Sequence, residues 1–363
     1  MRSALQHGLT SAFVVLMLAS MPLTAGEVSA AAVVAPIEPV RDLDSVVVSG
    51  VLPGPGLWKV SKGEHTMWVL GTQSPLPKKM QWRAREVEAV LAESEEVLRS
   101  GGVSVGSEGL GFFGRLALLP SLIGVRKSPD GAELKALVPP AEYAQWLELK
   151  QRYIGRDNGI ESWRPLFAAM RLYQEAIDDA GLVESGAVWP VVEAAIKQRK
   201  LKVTVPMLKV EVPNPKLALR EFKTERLADL DCFSKTLRHL EPDLATMRSR
   251  ANAWAVGDIA ALRGLPTGDQ QQACVEAALN AGVVRKYGPA DAVAAIRAKW
   301  LEAAEQALQR NRVTFALLPM SELLRDDGYL TGLRQRGYQV VAPDEGEAEA
   351  PGLDAASAAD AAG

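Results

Sequence analysis

Segments with a strand pattern lie near both ends of the chain, and segments with a helix pattern fill the part between them. This arrangement restricts the possible folds, because strands that are distant in sequence must meet in one sheet to bury their apolar faces. The predicted strands are residues 57–60, 66–70 and 96–98 on one side and residues 313–318 and 338–342 on the other. We therefore expect one α+β domain whose mixed sheet is built from the N- and C-terminal strands, with a largely helical middle inserted or packed beside it.

The helix pattern is a recurrence of apolar residues every three or four positions. It predicts helices over residues 78–93, 140–153, 163–179, 187–197, 215–256, 291–310 and 329–336. The helix over 215–256 is expected to break near Pro242, since proline lacks the N–H that a helix interior uses. A further strand is predicted at residues 201–205, and a hairpin turn at residues 61–65 joins the first two strands.

The first 30 residues have the pattern of a cleavable signal peptide. Arg2 precedes an apolar run over residues 9–23, and Ala25 and Ala30 each offer a cleavage position. The apolar core is shorter than the roughly 20 residues that a membrane-spanning helix needs, which disfavours the alternative of an uncleaved anchor. We therefore expect a periplasmic or secreted bacterial protein with no membrane span after cleavage.

Composition divides the rest of the chain into three parts. Residues 31–50 are rich in Ala, Val and Pro without periodicity, and they are predicted to form a linker. Residues 344–363 are mostly Ala, Gly, Asp and Glu, which cannot bury enough apolar surface to become ordered, so we expect a disordered tail. The folded domain is predicted to cover residues 51–343.

Charge and the scarce cysteines and histidines limit the possible chemistry. The 363-residue chain has a formal net charge of -3, which gives no indication of nucleic-acid binding. Cys232 and Cys274 are predicted to form a disulfide, because export would place them in an oxidising compartment; two buried free thiols are the alternative. His7 lies in the predicted signal peptide, so His65 and His239 are the histidines that remain in the mature chain.

A series of short motifs runs through the chain. In order they are Leu57-Trp58-Lys59-Val60, Trp68-Val69-Leu70-Gly71-Thr72, Pro139-x-x-Glu142-Tyr143, Trp163-x-Pro165-Leu166, Trp254-x-x-Gly257-Asp258, Arg297-x-x-Trp300, Glu322-Leu323-x-x-x-Asp327-Gly328 and Leu333-x-x-x-Gly337-Tyr338. Their order and spacing resemble the TraB/GumN family, which is related to the Tiki proteases and to the wider fold of erythromycin esterase and ChaN. The resemblance covers residues 57–341.

This resemblance implies a metal-dependent hydrolase scaffold, whose active members place two histidines and a glutamate at the metal. The two histidine positions are occupied here by Ser74 and Glu322, and the glutamate position by Ser100. A family aspartate falls near residues 188–189, and Arg297 of the Arg-x-x-Trp motif is kept. Because imidazole and carboxylate are much better ligands than a hydroxyl, the resemblance implies a family scaffold with a degenerate metal site.

Two hypotheses follow from this comparison of ligands. The first is a non-catalytic binding or accessory protein that needs no cofactor. Its candidate catalytic residues are Arg297 and Glu322, and Arg297 is either a relic of the family site or an anchor for a carboxylate of the fold. The alternative is a metal-dependent hydrolase or protease with a rebuilt site, in which Glu322 and Asp327 bind a divalent ion, Mn²⁺ or Mg²⁺. Glu96 would lie too far from Ser100 to replace it, and each of these carboxylates also fits a solvated charge on a loop or helix end.

A third hypothesis is a serine hydrolase that uses Ser74 or Ser100 with a histidine base. The chain has no G-x-S-x-G motif. His65 is predicted in the hairpin at the far end of its strand, and His239 is predicted on a solvated helix face. No motif points to a particular substrate or partner.

Overall fold

The computed structural model describes residues 54–107, 116–184, 186–266 and 269–346. The predicted signal peptide at residues 1–30, the predicted linker at residues 31–50 and residues 347–363 of the predicted tail lie outside this part of the chain. Among the helices of the described ranges, none is long and apolar enough to cross a bilayer.

The described part of the chain contains one six-stranded sheet and two separate two-stranded sheets. The strands are β1 (Leu57–Lys62), β2 (His65–Thr72), β3 (Leu76–Pro77), β4 (Glu96–Leu98), β5 (Gly102–Gly106), β6 (Leu182–Val183), β7 (Lys202–Thr204), β8 (Met207–Glu211), β9 (Val313–Pro319) and β10 (Gln339–Val341). The larger sheet has the order β10-β1-β2-β9-β4-β7, while β3 pairs with β6 and β5 with β8. The mixed sheet built from N- and C-terminal strands is thus confirmed.

One strand of this sheet, β1, runs opposite to the other five. The strands β2, β9, β4 and β7 are parallel to one another, whereas β1 is antiparallel to both β2 and β10. The predicted hairpin is confirmed: Lys62 pairs with His65, and Gly63 takes the positive φ of 61° that a two-residue turn requires. The carboxyl ends of the parallel strands therefore share one edge of the sheet, which is where open α/β sheets place their ligands.

Helices make up most of the middle of the described chain, as predicted. They are α1 (Arg85–Glu93), α2 (Leu119–Leu122), α3 (Leu134–Leu137), α4 (Pro140–Tyr153), α5 (Pro165–Asp179), α6 (Val188–Arg199), α7 (Pro215–Thr224), α8 (Leu230–Ala255), α9 (Ile259–Gly264), α10 (Asp269–Leu279), α11 (Gly282–Tyr287), α12 (Ala292–Arg310), α13 (Met320–Leu323), α14 (Tyr329–Gln335) and α15 (Pro343–Gly346). The last of these extends three residues into the segment that composition assigns to the tail.

The long helix predicted in the middle of the chain breaks at a different place from the one predicted. Pro242 lies inside α8 on its exposed face, where water can solvate the carbonyl that proline leaves without a donor. The break falls instead between α7 and α8, where side chains bind backbone from other segments. The Glu225 carboxylate accepts the Gly282 N–H at 2.7 Å, and buried Asp229 accepts the Leu166 N–H at 2.9 Å.

The first predicted helix is shorter than expected, since α1 begins only at Arg85. The residues before it are held by a strand pair rather than by helical hydrogen bonds. Leu76 and Pro77 pair with β6, and the Lys78 N–H donates to the Gly181 carbonyl at 3.0 Å. This pairing is long-range, so the periodicity of the segment could not indicate it.

Two main groups of buried apolar side chains stabilise the domain. One surrounds the large sheet and includes Trp58, Trp300 and Phe315. The other lies within the helical middle, where Trp146 and Phe233 pack at 5.6 Å between ring centroids. Helix α8 contributes to both groups, so it connects the helical middle to the sheet.

The predicted disulfide is present in the helical middle. Cys232 on α8 is bonded to Cys274 on α10, and none of the described cysteines is free. Both residues lie among the buried apolar side chains of that region. The bond therefore links the two helices across a sequence separation of 42 residues, which restricts the unfolded chain.

Glu96 is buried and hydrogen-bonded, so the alternative of a solvated charge is wrong for this carboxylate. It is 1% exposed at the start of β4 and accepts hydrogen bonds from Thr204 at 2.6 Å, Arg310 at 2.6 Å and Asn311 at 2.9 Å, with Lys202 at 3.2 Å. Burial alone would raise the pKa of this carboxyl, but the four donors together lower it from 4.5 to about 2. Glu96 thus joins three parts of the fold at the edge of the sheet opposite the carboxyl ends.

We predict that Glu96→Gln lowers the free energy of unfolding at pH 7 by roughly 2–3 kcal/mol, because the folded carboxyl has the depressed pKa. The contribution is fully present above the unfolded pKa of 4.5 and is lost as the pH falls toward about 2. Urea unfolding between pH 7 and pH 2.5 measures it, and the difference between wild type and variant should shrink over that range.

Glu193→Gln is the matched control, since Glu193 forms an exposed i,i+4 pair with Lys197 on α6. We expect it to change the free energy of unfolding by less than about 0.5 kcal/mol at every pH. An equally small effect of Glu96→Gln would show that the buried network does not stabilise the fold.

Candidate functional site

The candidate site lies where the parallel strands β2 and β9 end. Thr72 and Pro319 are paired at this edge, and the Thr72 hydroxyl donates to the Leu318 carbonyl at 3.2 Å. On the other side, the Trp254 indole N–H of α8 donates to the Gly71 carbonyl at 2.7 Å. A cavity of about 1040 Å³ opens here between the sheet edge and helices of the middle and C-terminal parts.

Three of the five candidate site residues singled out from the sequence line this cavity: Ser74, Arg297 and Glu322. Ser100 is exposed and is not among the lining residues. Its neighbour Gly101 faces the Pro206 carbonyl and Ile296, beside the loop that leads from β7 to β8. The described structure therefore assembles part of the predicted set, and it places Ser100 outside the cavity.

Ser74 is tied to the backbone of a neighbouring segment. Its hydroxyl donates to the Glu184 carbonyl at 3.0 Å. The adjacent Gln73 is 8% exposed, and its amide donates to the Ser74 carbonyl at 3.2 Å. The Ser74 hydroxyl is thus engaged as a donor to a backbone carbonyl, and neither described histidine is hydrogen-bonded to it as a base.

The two described histidines lie away from the cavity. His65 starts β2, seven residues before Thr72, which corresponds to roughly 23 Å along a strand. Its ring nitrogen Nδ1 lies 2.8 Å from the Asn311 carbonyl at the opposite edge of the sheet. His239 is exposed on α8, as predicted, and neither histidine is among the lining residues.

Arg297 is placed by α12 and faces a carboxylate that it does not bind closely. Its Nη2 lies 3.9 Å from Glu322 Oε2, which is beyond hydrogen-bond distance. Its Nη1 donates to the Asp327 carbonyl at 2.8 Å, and its Nε is buried without a hydrogen-bond partner. Its guanidinium also lies 5.8 Å from the centre of the Tyr329 ring.

Asp327 is held by another arginine. The Arg325 guanidinium donates to both of its carboxylate oxygens at 2.9 Å. These hydrogen bonds lower the pKa of Asp327, which keeps the carboxyl ionised. Asp327 is 68% exposed and is not among the residues that line the cavity, in contrast to Glu322.

The metal that the family scaffold implies does not fit the residues present. A divalent transition metal needs three or more imidazole, thiolate or carboxylate ligands at one point. Among the described residues, no group of three or more His, Cys, Asp and Glu could hold such an ion. The described cavity wall instead offers the hydroxyl of Ser74, the carboxylate of Glu322, which faces Arg297, and the carboxylate of Glu276, which accepts a hydrogen bond from the Gln272 amide at 2.8 Å.

Sequence reasoning missed the other arginines of the cavity, Arg250, Arg263 and Arg325. Arg250 is 6% exposed on α8, and its Nη1 donates to the carbonyls of Leu262 and Leu265 at 3.1 and 3.0 Å. Burial lowers the pKa of Arg250. The sequence did contain a signal that Arg250 is buried. Arg250 follows Met247 by three positions and precedes Trp254 by four, so it lies on the apolar face of the helix.

Comparison with known proteins places these features in one family. The model of the TraB/PrgY/gumN family matches residues 56–342, which include every described strand and the whole cavity lining. Comparison with curated proteins and with solved structures gives no match for this chain. The match extends over most of the sequence and agrees with the motifs at both ends of the sheet. The chain therefore belongs to the TraB/PrgY/gumN family.

Proposed function

We propose that this protein is an exported, non-catalytic member of its family that binds a ligand in the cavity at the carboxyl edge of the sheet. The observation that carries the proposal is that a poor metal ligand replaces a good one at this edge of the sheet. Ser74 stands at a position where the family scaffold implies a histidine, and its hydroxyl is already bonded to the Glu184 carbonyl. The binding place of the scaffold is kept while its metal ligands are not.

Electrostatics at Glu322 also favour this proposal over a site rebuilt from carboxylates. Arg297 Nη2 lies 3.9 Å from the Glu322 carboxylate. A divalent ion bound to Glu322 would lie about 5 Å from that guanidinium, where their repulsion amounts to several kcal/mol at an effective dielectric constant of about 20. Asp327, the second carboxylate of the rebuilt site, is already bonded to Arg325 through both oxygens.

Export is supported by the disulfide together with the signal pattern of residues 1–30. A structural disulfide such as Cys232–Cys274 is typical of proteins that fold in the periplasm or outside the cell. The apolar run over residues 9–23 has the pattern of the signal peptide that directs such export.

We predict that protein isolated from the periplasm carries no stoichiometric transition metal. Elemental analysis of the purified chain should find less than about one tenth of an equivalent of Mn, Co or Zn, since no three His, Cys, Asp or Glu ligands converge among the described residues. Glu322→Ala is the matched variant and should leave the metal content and the thermal midpoint unchanged. About one equivalent of metal in the wild type, lost in Glu322→Ala, would establish the rebuilt site and contradict the proposal.

The proposed export also predicts the N-terminus and the thiol state of the protein isolated from the periplasm. Intact mass should place the mature N-terminus at Gly26 or Ala31, after one of the two predicted cleavage positions. Cys232 and Cys274 should resist alkylation until a reductant is added. A full-length chain that stays with the membrane fraction, or thiols that react without reduction, would contradict export with cleavage.

A further inference from the structure

The cavity contains a buried cation that is not matched by a carboxylate. Arg250 is 6% exposed, and among the side chains whose burial the structure describes it takes no part in the ion pairs formed by Arg263, Arg297 and Arg325, the other arginines of the wall. Its Nη1 is occupied by the Leu262 and Leu265 carbonyls. These two acceptors fix the orientation of the side chain, but they carry only partial charge. A buried cation without a counter-ion is costly, and an anion that enters the cavity would remove that cost.

A second arginine on the cavity wall has unused donors. The two carboxylates nearest to Arg297, those of Glu322 and Asp327, are each 3.9 Å away, and its buried Nε has no hydrogen-bond partner. Close carboxylate pairs of arginine have N–O distances of about 2.7–2.9 Å, so this guanidinium is only loosely neutralised. Arg250 and Arg297 therefore both add positive potential to the cavity.

The remaining two arginines of the wall are neutralised by close partners. Arg263 Nη1 lies 2.6 Å from Asp344 Oδ2, and Arg325 is bonded to both oxygens of Asp327. These pairs involve carboxylates that do not themselves line the cavity. The two arginines are consequently suitable controls, since they share the cavity but not the unmatched charge.

Much of the wall around these charges is apolar. Met247, Leu262, Leu265, Pro266, Val275 and Val293 all line the cavity. Val275 and Val293 remain 50% and 46% exposed, so apolar surface is open to whatever enters. Ligand sites commonly combine such a wall with a few polar groups that fix orientation.

We propose that the cavity binds an amphipathic organic anion, whose charged group is held by Arg250 with support from Arg297 and whose apolar part covers the wall near Val275 and Val293. This inference rests on the proposed function, because a metal bound at Glu322 would change the charge of the cavity. The ligand class is a carboxylate, sulfonate or phosphate attached to a hydrophobic body. The volume of about 1040 Å³ admits a molecule of that size.

A matched pair of dyes tests this proposal. 8-Anilinonaphthalene-1-sulfonate carries the anion, and 1-anilinonaphthalene has the same rings without it. Fluorescence titration of the mature protein should show one saturable site for the sulfonate and at least about tenfold weaker binding of the neutral dye, the equivalent of about 1.4 kcal/mol. Equal affinity for the two dyes, or no saturable site for the sulfonate, would overturn the proposal.

Three variants locate the anion. Arg250→Met should weaken sulfonate binding by about tenfold and Arg250→Lys by less than about fivefold, because lysine keeps the charge but not the planar donors. Arg263→Met, the control at the ion-paired arginine, should change it by less than about twofold. Unchanged binding in a folded Arg250→Met variant would contradict the assignment.

The Arg250→Met variant removes two hydrogen bonds to carbonyls, so its fold must be checked by circular dichroism. If it does not fold, Arg297→Met decides the question, and a loss of less than about twofold in that variant would contradict the proposal. A metal-free protein that fails to bind the sulfonate dye overturns this inference alone. Stoichiometric metal overturns the proposed function, whatever the dye does.

Discussion

Seven residue pairs, from Thr66 with Val313 to Thr72 with Pro319, join β2 to β9. This parallel pairing connects the two ends of the domain, and the rest of the sheet is arranged around it. Strands β1 and β10 extend it on one side and β4 and β7 on the other. Because β2 and β9 are parallel, their carboxyl ends meet at one edge, and that edge forms the floor of the cavity. The Trp254 indole hydrogen bond to the Gly71 carbonyl then attaches the helical middle at the same place.

Most of the sheet and most helices could be predicted from local patterns in the sequence. The apolar runs with β-branched residues of β2 and β9 and the apolar periodicity of α4 and α12 are signals that a single segment carries by itself. The errors concern features fixed by distant partners. The break between α7 and α8 depends on Glu225 binding the Gly282 N–H, and the late start of α1 depends on pairing of β3 with β6. Glu96 is buried because Arg310 and Asn311, more than 200 residues away, supply its donors.

The site could be predicted in part for the same reason. Family motifs indicated Ser74, Arg297 and Glu322, and these residues do line one cavity. They could not indicate Arg250, whose importance in the proposed site depends on its burial in the cavity wall. They also suggested Ser100, which the end of β4 places outside the cavity lining. The family scaffold thus carries Ser74 and Glu322 where metal ligands are implied, and our proposal assigns ligand binding to the arginines of the cavity wall.

A crystal structure of the mature protein, grown with 8-anilinonaphthalene-1-sulfonate and Mn²⁺ together, tests this picture most directly. The account predicts sulfonate oxygens within about 3 Å of the Arg250 guanidinium, the distance of a charge-assisted hydrogen bond. It also predicts no anomalous manganese peak beside Glu322. A manganese ion coordinated by Glu322, with the dye absent from the cavity, would contradict the account.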